Sequence, residues 1–228
     1  MILKKNILLL SVIFALQVNA QEIKKIRDIG IWSEVAVAYN IGKDWRISLE
    51  EQVRFFNNLN MFEASNTDLG AEYRINKQFK LGAQIRYSYD RKKELDLTHD
   101  LRYSVDFKYR LKITKELKLD YRLRYQNKYI DLFEFVDEHK QKAHLRHRLE
   151  LGYKIKNATV YASTELFREY VYFKKPAYNN LRFMLGTDFK TTYGKLGFAL
   201  GYEYELNDPY PFEFFFLKLS YTLKLNNE

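Results

Sequence analysis

A strict two-residue period runs through most of this chain. Phe79, Leu81, Ala83, Ile85, Tyr87 and Tyr89 alternate with Lys80, Gly82, Gln84, Arg86, Ser88 and Asp90. Leu101, Tyr103, Val105, Phe107, Tyr109 and Leu111 alternate with Arg102, Ser104, Asp106, Lys108 and Arg110, and the run from Leu117 to Gln126 repeats the pattern. Successive side chains of an extended strand point to opposite faces, so this period means strands with one apolar and one charged face. No segment carries a sustained helical period. The same reading predicts further strands at Ile29 to Tyr39, Trp45 to Phe55, Asp68 to Ile75, Ala143 to Ile155, Thr159 to Tyr170, Leu181 to Lys190, Leu196 to Leu206 and Phe215 to Leu225, eleven segments in all.

The intervening segments alternate in length. Asn40 to Asp44, Asn76 to Gln78, Lys112 to Glu116, Lys156 to Ala158 and Thr191 to Gly194 are short; Phe56 to Thr67, Arg91 to Thr98, Asn127 to Lys142, Val171 to Asn180 and Asn207 to Phe214 are predicted as long loops. All three prolines, Pro176, Pro209 and Pro211, fall in the long class, as a continuous hydrogen-bonded sheet requires. The stretch Tyr73-Arg74-Ile75 to Arg86-Tyr87 is echoed by Tyr109-Arg110-Leu111 to Arg124-Tyr125, so the hairpin is the building unit.

Residues 1–20 read as a secretory signal peptide: Lys4 and Lys5, an apolar run from Ile7 to Leu16, then Gln17-Val18-Asn19-Ala20. The apolar run is too short to span a membrane as a helix, for which about 20 residues are needed. Cleavage after Ala20 leaves residues 21–228 as one domain and, with two lysines lost and no acid, takes the formal charge from +9 to +7. A mean hydropathy of −0.46 excludes a polytopic helical membrane protein. The absence of Cys excludes a disulfide scaffold, thiol chemistry and a lipoprotein anchor.

Alternating strands of about ten residues, short turns at one side, longer loops at the other and aromatic strand ends predict an all-β, antiparallel up-and-down transmembrane β-barrel of about 10 to 12 strands in the outer membrane of a Gram-negative cell. Closure follows from the solvent: in hydrocarbon every backbone N–H and C=O must pair within the protein, and a closed sheet has no edge. A soluble sandwich or lipocalin-like barrel is the rival, with the apolar face inward. The charge along nearly the whole polar face speaks against it. Bacterial single-chain barrels favour even strand numbers. The expectation is therefore ten strands with Ile29 to Tyr39 apart, a twelfth from Glu22 to Arg27, or a miscount by one.

Asp28-Ile29-Gly30-Ile31-Trp32, Trp45-Arg46-Ile47-Ser48-Leu49-Glu50-Glu51-Gln52-Val53-Arg54 and the hairpin from Leu69-Gly70-Ala71-Glu72-Tyr73-Arg74-Ile75-Asn76-Lys77 to Tyr87 resemble the domain-of-unknown-function family 2490 of exported β-barrel proteins. The resemblance covers essentially all of the mature chain. It implies the location and the fold, and it carries no catalytic residues.

The charged face predicts the lumen. From Leu101 to Ile155 it carries Arg102, Arg110, Arg122, Arg124, Arg146, Arg148 and several lysines against Asp100, Asp106, Asp120 and Glu150, an excess of six positive charges. From Thr159 to Leu206 it carries Glu165, Glu169, Asp188, Glu203 and Glu205 against Arg182, Lys190 and Lys195, an excess of two negative charges. These lumen-lining residues allow two readings. Either the charges pair across a filled interior, leaving a structural or surface-recognition barrel, or excess arginine favours small anionic solutes in a narrow pore. Outer-membrane lipids are the expected surroundings, and the loop Asn127 to Gln141 is the candidate recognition surface.

An outer-membrane lipid or peptide hydrolase is the enzyme alternative. His99 and Asp100, with Asp90, Glu94 and Asp96, are its acid/base candidates, and His144 the other histidine to test. His144 and His147 lie three apart on one strand and face opposite sides. His147 and Glu51 fall on the apolar face, and His139 lies in an acidic loop. No serine has a nucleophile setting, and no glycine-rich phosphate loop appears. The reading is no enzyme, no catalytic or metal site, no cofactor and no nucleic-acid partner, since the basic residues point inward.

Overall fold

The computed structural model describes residues 25–91, 97–130, 141–171 and 175–225. The signal segment, Glu22, Glu94, Asp96 and His139 lie outside the described residues, as does most of the 127–141 loop. The described residues form eleven strands: β1 (Ile26–Ile41), β2 (Trp45–Phe56), β3 (Met61–Arg74), β4 (Phe79–Arg91), β5 (Leu97–Lys112), β6 (Leu117–Tyr129), β7 (Gln141–Ile155), β8 (Ala158–Val171), β9 (Ala177–Lys190), β10 (Gly194–Glu205) and β11 (Phe212–Lys224). Each pairs with its sequence neighbours, and β1 pairs with β11 to close a barrel.

The all-β barrel expectation holds, with two corrections. Eleven strands fall within the expected 10 to 12 and match the eleven segments read from sequence, but the number among the described residues is odd, because Ile29 to Tyr39 belongs to the wall as β1. The sheet is also not wholly antiparallel. Each hairpin reverses the chain, so the eleventh strand runs the same way as the first, and β1 pairs with β11 in parallel from Ile26↔Phe212 to Ala38↔Lys224.

The alternation of side chains is inside-out relative to a water-soluble fold. Leu200, Val35 and Leu185 on the outer face are 64%, 59% and 58% exposed, whereas Asp68 and Asp100 on the inner face are 1% and 2% exposed. Apolar burial is concentrated at the seam. Trp32 stacks on Phe216 with ring centroids 3.8 Å apart, beside Phe214. Gly30 and Gly201 make room for these rings: a Cβ would stand 2.3 Å from the Phe214 ring at Gly30 and 2.1 Å from the Phe216 ring at Gly201.

One end has the short turns. The echo of the two hairpins extends to their chemistry: the Asn76 side chain accepts from the N–H groups of Gln78 and Phe79, and the Thr114 hydroxyl accepts from those of Glu116 and Leu117. Such side chain-to-backbone bonds favour turns over continued strand.

At the other end the expected long loop Phe56 to Thr67 shrinks to residues 57–60. Asn57, Asn58 and Leu59 all have positive φ, a conformation Asn tolerates and Leu does not favour. Asp28 secures this turn by accepting from the Asn57 and Asn58 N–H groups, both at 2.9 Å. At the same rim Glu213 accepts from Lys25 and Arg27, clamping the seam, and its carboxylate pushes the Lys25 ammonium above its ordinary pKa.

Candidate functional site: the charged interior

The inner face is built from cross-strand pairs. Arg86 faces Asp68 in register and grips it with Nε to Oδ1 at 2.8 Å and Nη2 to Oδ2 at 2.5 Å. Arg124 faces Asp106 likewise, at 2.6 and 2.7 Å, and Arg110 faces Asp120, at 2.6 and 3.1 Å. The guanidinium fork matches the two carboxylate oxygens, so each pair satisfies itself where water is scarce.

Glu165 is the hub of a larger cluster. It accepts from Arg146 Nε at 3.0 Å and Nη2 at 2.8 Å and from Arg122 Nη2 at 2.7 Å, with Arg182 at 3.7 Å. Arg182 passes the network on to Glu203, with Nη2 to Oε2 at 2.6 Å. Arg146 and Arg182 also lie over the Phe167 ring, at 4.4 and 4.9 Å, while Arg54 sits 4.1 Å from the Trp32 ring.

Side chains do not fill the interior completely. A central cavity of about 430 Å³ is lined by Arg54, Arg86, Arg102, Arg122, Arg124, Arg146, Arg148, Arg182 and Lys218 against Glu34, Glu50, Glu165 and Glu203, with Trp32 and Phe167 as apolar patches. Asp68, Asp106, Glu150 and Glu63, the partners of Arg86, Arg124, Arg148 and Arg54 outside this lining, bring the ratio to nine cations against eight carboxylates. Towards the short turns lies a second cavity of about 250 Å³, lined by Arg110, Asp120, Arg122, Arg148 and Glu150 among others. A third, of about 210 Å³, includes Arg148, Glu150, Asp188 and Lys195. Arg122 and Arg148 line both the central and the second cavity and form the partition between them.

The sequence-predicted lumen residues therefore fall into three groups. Arg102, Arg122, Arg124, Arg146, Arg148, Glu165 and Glu203 line the central cavity; Arg110, Asp120 and Glu150 line the second; Asp188 lines the third. Glu205 lines none of them and accepts from the Phe212 N–H near the rim. The split into a basic and an acidic wall does not persist as two separated fields, because the acidic wall supplies the counterions: Glu165 on β8 neutralises Arg146 on β7 and Arg122 on β6.

Glu34, Glu50, Gln52, Asp68, Glu72 and Arg86 also face the interior, and Lys218 pairs with Glu34 at 2.5 Å. The alternation on β1 to β4 carried this signal, although the charges considered from sequence lay on later strands. Trp32 has no such signal, since Ile29, Ile31 and Trp32 are all apolar.

Among the described residues the acid/base candidates face opposite sides of the wall. His99 faces outward to the Tyr87 hydroxyl, whereas Asp100 faces inward to Lys128 at 2.6 Å. His144 faces inward, with Nε2 3.5 Å from Glu169, and His147 outward to the Tyr121 hydroxyl. Among the described residues no three His, Asp or Glu side chains converge as metal ligands. Glu51, also outward, is met by the hydroxyls of Ser65 and Thr67. The interior presents guanidinium donors and carboxylate acceptors side by side to its cavities.

A family model, the proteins of unknown function designated DUF2490, matches residues 29–210. The chain belongs to this family. The match runs from β1 to the last inter-strand connection and so takes in every cavity-lining strand except β11. No curated protein matches the chain.

Proposed function

We propose that this DUF2490 protein is an outer-membrane barrel, exported by a signal peptide cleaved after Ala20, whose narrow interior passes small anions. The reading rests above all on the inside-out sheet: a closed wall with exposed leucines and valines outside and buried carboxylates and guanidinium groups inside matches hydrocarbon around the barrel and water within it. Selectivity comes from the cationic excess, since rings of fixed charge set which ions enter a pore. Arg122 and Arg148 make the passage tight. They divide the interior, so solutes move only when these side chains shift.

The protein is read as a passage with no catalytic role. Expression in a Gram-negative host should place the chain in the outer-membrane fraction, resistant to carbonate extraction. In planar bilayers under a potassium chloride gradient, the reversal potential should report chloride passing in preference to potassium. Cation preference would refute the anion passage. Absence of conductance in a correctly inserted barrel would favour a closed structural or recognition role, for which the Arg122–Arg148 partition is the supporting observation.

A further inference from the structure

Of the nine cations lining the central cavity, eight have a carboxylate within 4.0 Å. Arg102 is the exception: among the described residues its side chain makes no hydrogen bond and no ion pair, and its Nε is buried without a partner. Its neighbours across the ladder worsen the imbalance. Arg102 stands directly opposite Arg86 on β4 and opposite Lys128 on β6. Like charges placed opposite each other in a ladder are destabilising. Both neighbours have spent their charge elsewhere, Arg86 on Asp68 and Lys128 on Asp90 and Asp100.

Among charged groups, Arg86 and Arg54 act on Arg102 most strongly. Arg54 is itself weakly neutralised: its Nε donates to the Gln52 side chain at 2.7 Å, and Glu63 is 4.0 Å away. Three guanidinium groups thus converge on one wall of the central cavity; among the described residues Asp68 pairs closely with Arg86, Glu63 stands 4.0 Å from Arg54, and Asp90 and Asp68 act on Arg102 without an ion pair. A buried charge without a partner is costly, and a guanidinium has five N–H donors in a fork suited to a planar or tetrahedral oxyanion. The cavity is larger than a single ion, and its lining includes the largely buried rings of Trp32 and Phe167 as its apolar part.

We propose that Arg102, flanked by Arg54 and Arg86, is an anion-binding site for the phosphate group of a small solute. The site deepens the proposed passage and rests on it only in taking the cavity to be reachable from solution. An ion that dwells there carries current saturably and competes with others, so the passage is selective for phosphate-bearing solutes over chloride. Phosphate can arrive free or as an ester; the apolar part of the lining favours the ester.

The test uses the full mature chain, folded in detergent for calorimetry and inserted into planar bilayers for conductance, with inorganic phosphate and glucose 6-phosphate as probes. Each probe should bind saturably and reduce chloride current at the same concentrations, the ester more tightly. Arg102→Gln should raise both half-saturation concentrations at least tenfold. Arg102→Lys, which keeps the charge and loses the fork, should fall between, and Arg110→Gln, in the second cavity, should change them less than twofold. Circular dichroism and the gel shift on heating verify that each variant is folded; if Arg102→Gln does not fold, Arg102→Lys decides.

Half-saturation unchanged in the folded Arg102 variant overturns the site, as does the absence of phosphate binding to the parent protein. Equal affinity for the two probes overturns the role of the apolar lining. The two proposals separate cleanly: anion-selective conductance that phosphate does not affect leaves the passage and removes the site, while saturable, Arg102-dependent binding without conductance leaves the site and removes the passage.

Discussion

Two sectors of the barrel interior solve the same packing problem in opposite ways. At the seam, β1, β10 and β11 bring Trp32, Phe214 and Phe216 into contact over glycines, and these rings are close-packed. Around the rest of the wall, β3 to β10 carry arginine–carboxylate pairs and leave cavities between them. The aromatic sector gains from burying apolar area and tolerates little change in shape. The ionic sector gains less per contact, because desolvation offsets most of the Coulomb attraction, but breaking a pair strands a charge. A close-packed aromatic cluster and an ionic interior with cavities therefore coexist in a single sheet.

The contrast is sharpest at its most loaded residue. Glu165→Leu removes the only carboxylate that, among the described residues, pairs with Arg146 and Arg122, and stability should fall by about 3 to 5 kcal/mol, read as a lower urea midpoint in detergent micelles. A loss below about 1 kcal/mol would mean that water already neutralises these arginines, and the two sectors would differ less than their contacts suggest.

Next comes Gly201→Val at the seam. Its Cβ would overlap the Phe216 ring, which is locked against Trp32, so a cost of about 1 to 3 kcal/mol is expected, together with loss of near-ultraviolet aromatic dichroism. Retention of that signal would show the seam to be looser than a packed core. A smaller effect is expected of Arg110→Ala. Its pair with Asp120 is 42% exposed on the arginine side, so water screens it and the loss should stay near or below about 1 kcal/mol.

The smallest change belongs to the rim. Glu213→Gln weakens the clamp to Lys25 and Arg27, but the Arg27 side chain is 70% exposed, and the urea midpoint should barely move. A large shift would mark the parallel seam as the point where unfolding starts.

How far these features were legible varies strand by strand. On β5 and β6, Asp106 and Arg124 each occupy a polar position between apolar neighbours, so their shared face could be read directly, and the short turn between them brings them opposite. The start of β3 could not be read so. Ser65 and Thr67 face outward while Asn66 and Asp68 face inward, and with polar side chains on both faces the hydrophobic alternation disappears. Only the hydroxyl bonds to Glu51 on β2 explain why those positions are outside. On β11 the run Phe212-Glu213-Phe214-Phe215-Phe216 erases the alternation the other way, with aromatic residues on both faces.

Local chemistry, then, is what the sequence determined by itself: two-faced strands, hairpin after hairpin, and turns such as those at Asn76 and Thr114, all set by side chains within a few residues of each other. Closure in parallel, the convergence of Arg146, Arg122 and Arg182 on Glu165, and the isolation of Arg102 were decided only by the tertiary structure. These depend on register and stagger between strands far apart in the chain, where one residue of slip would give every arginine a different partner.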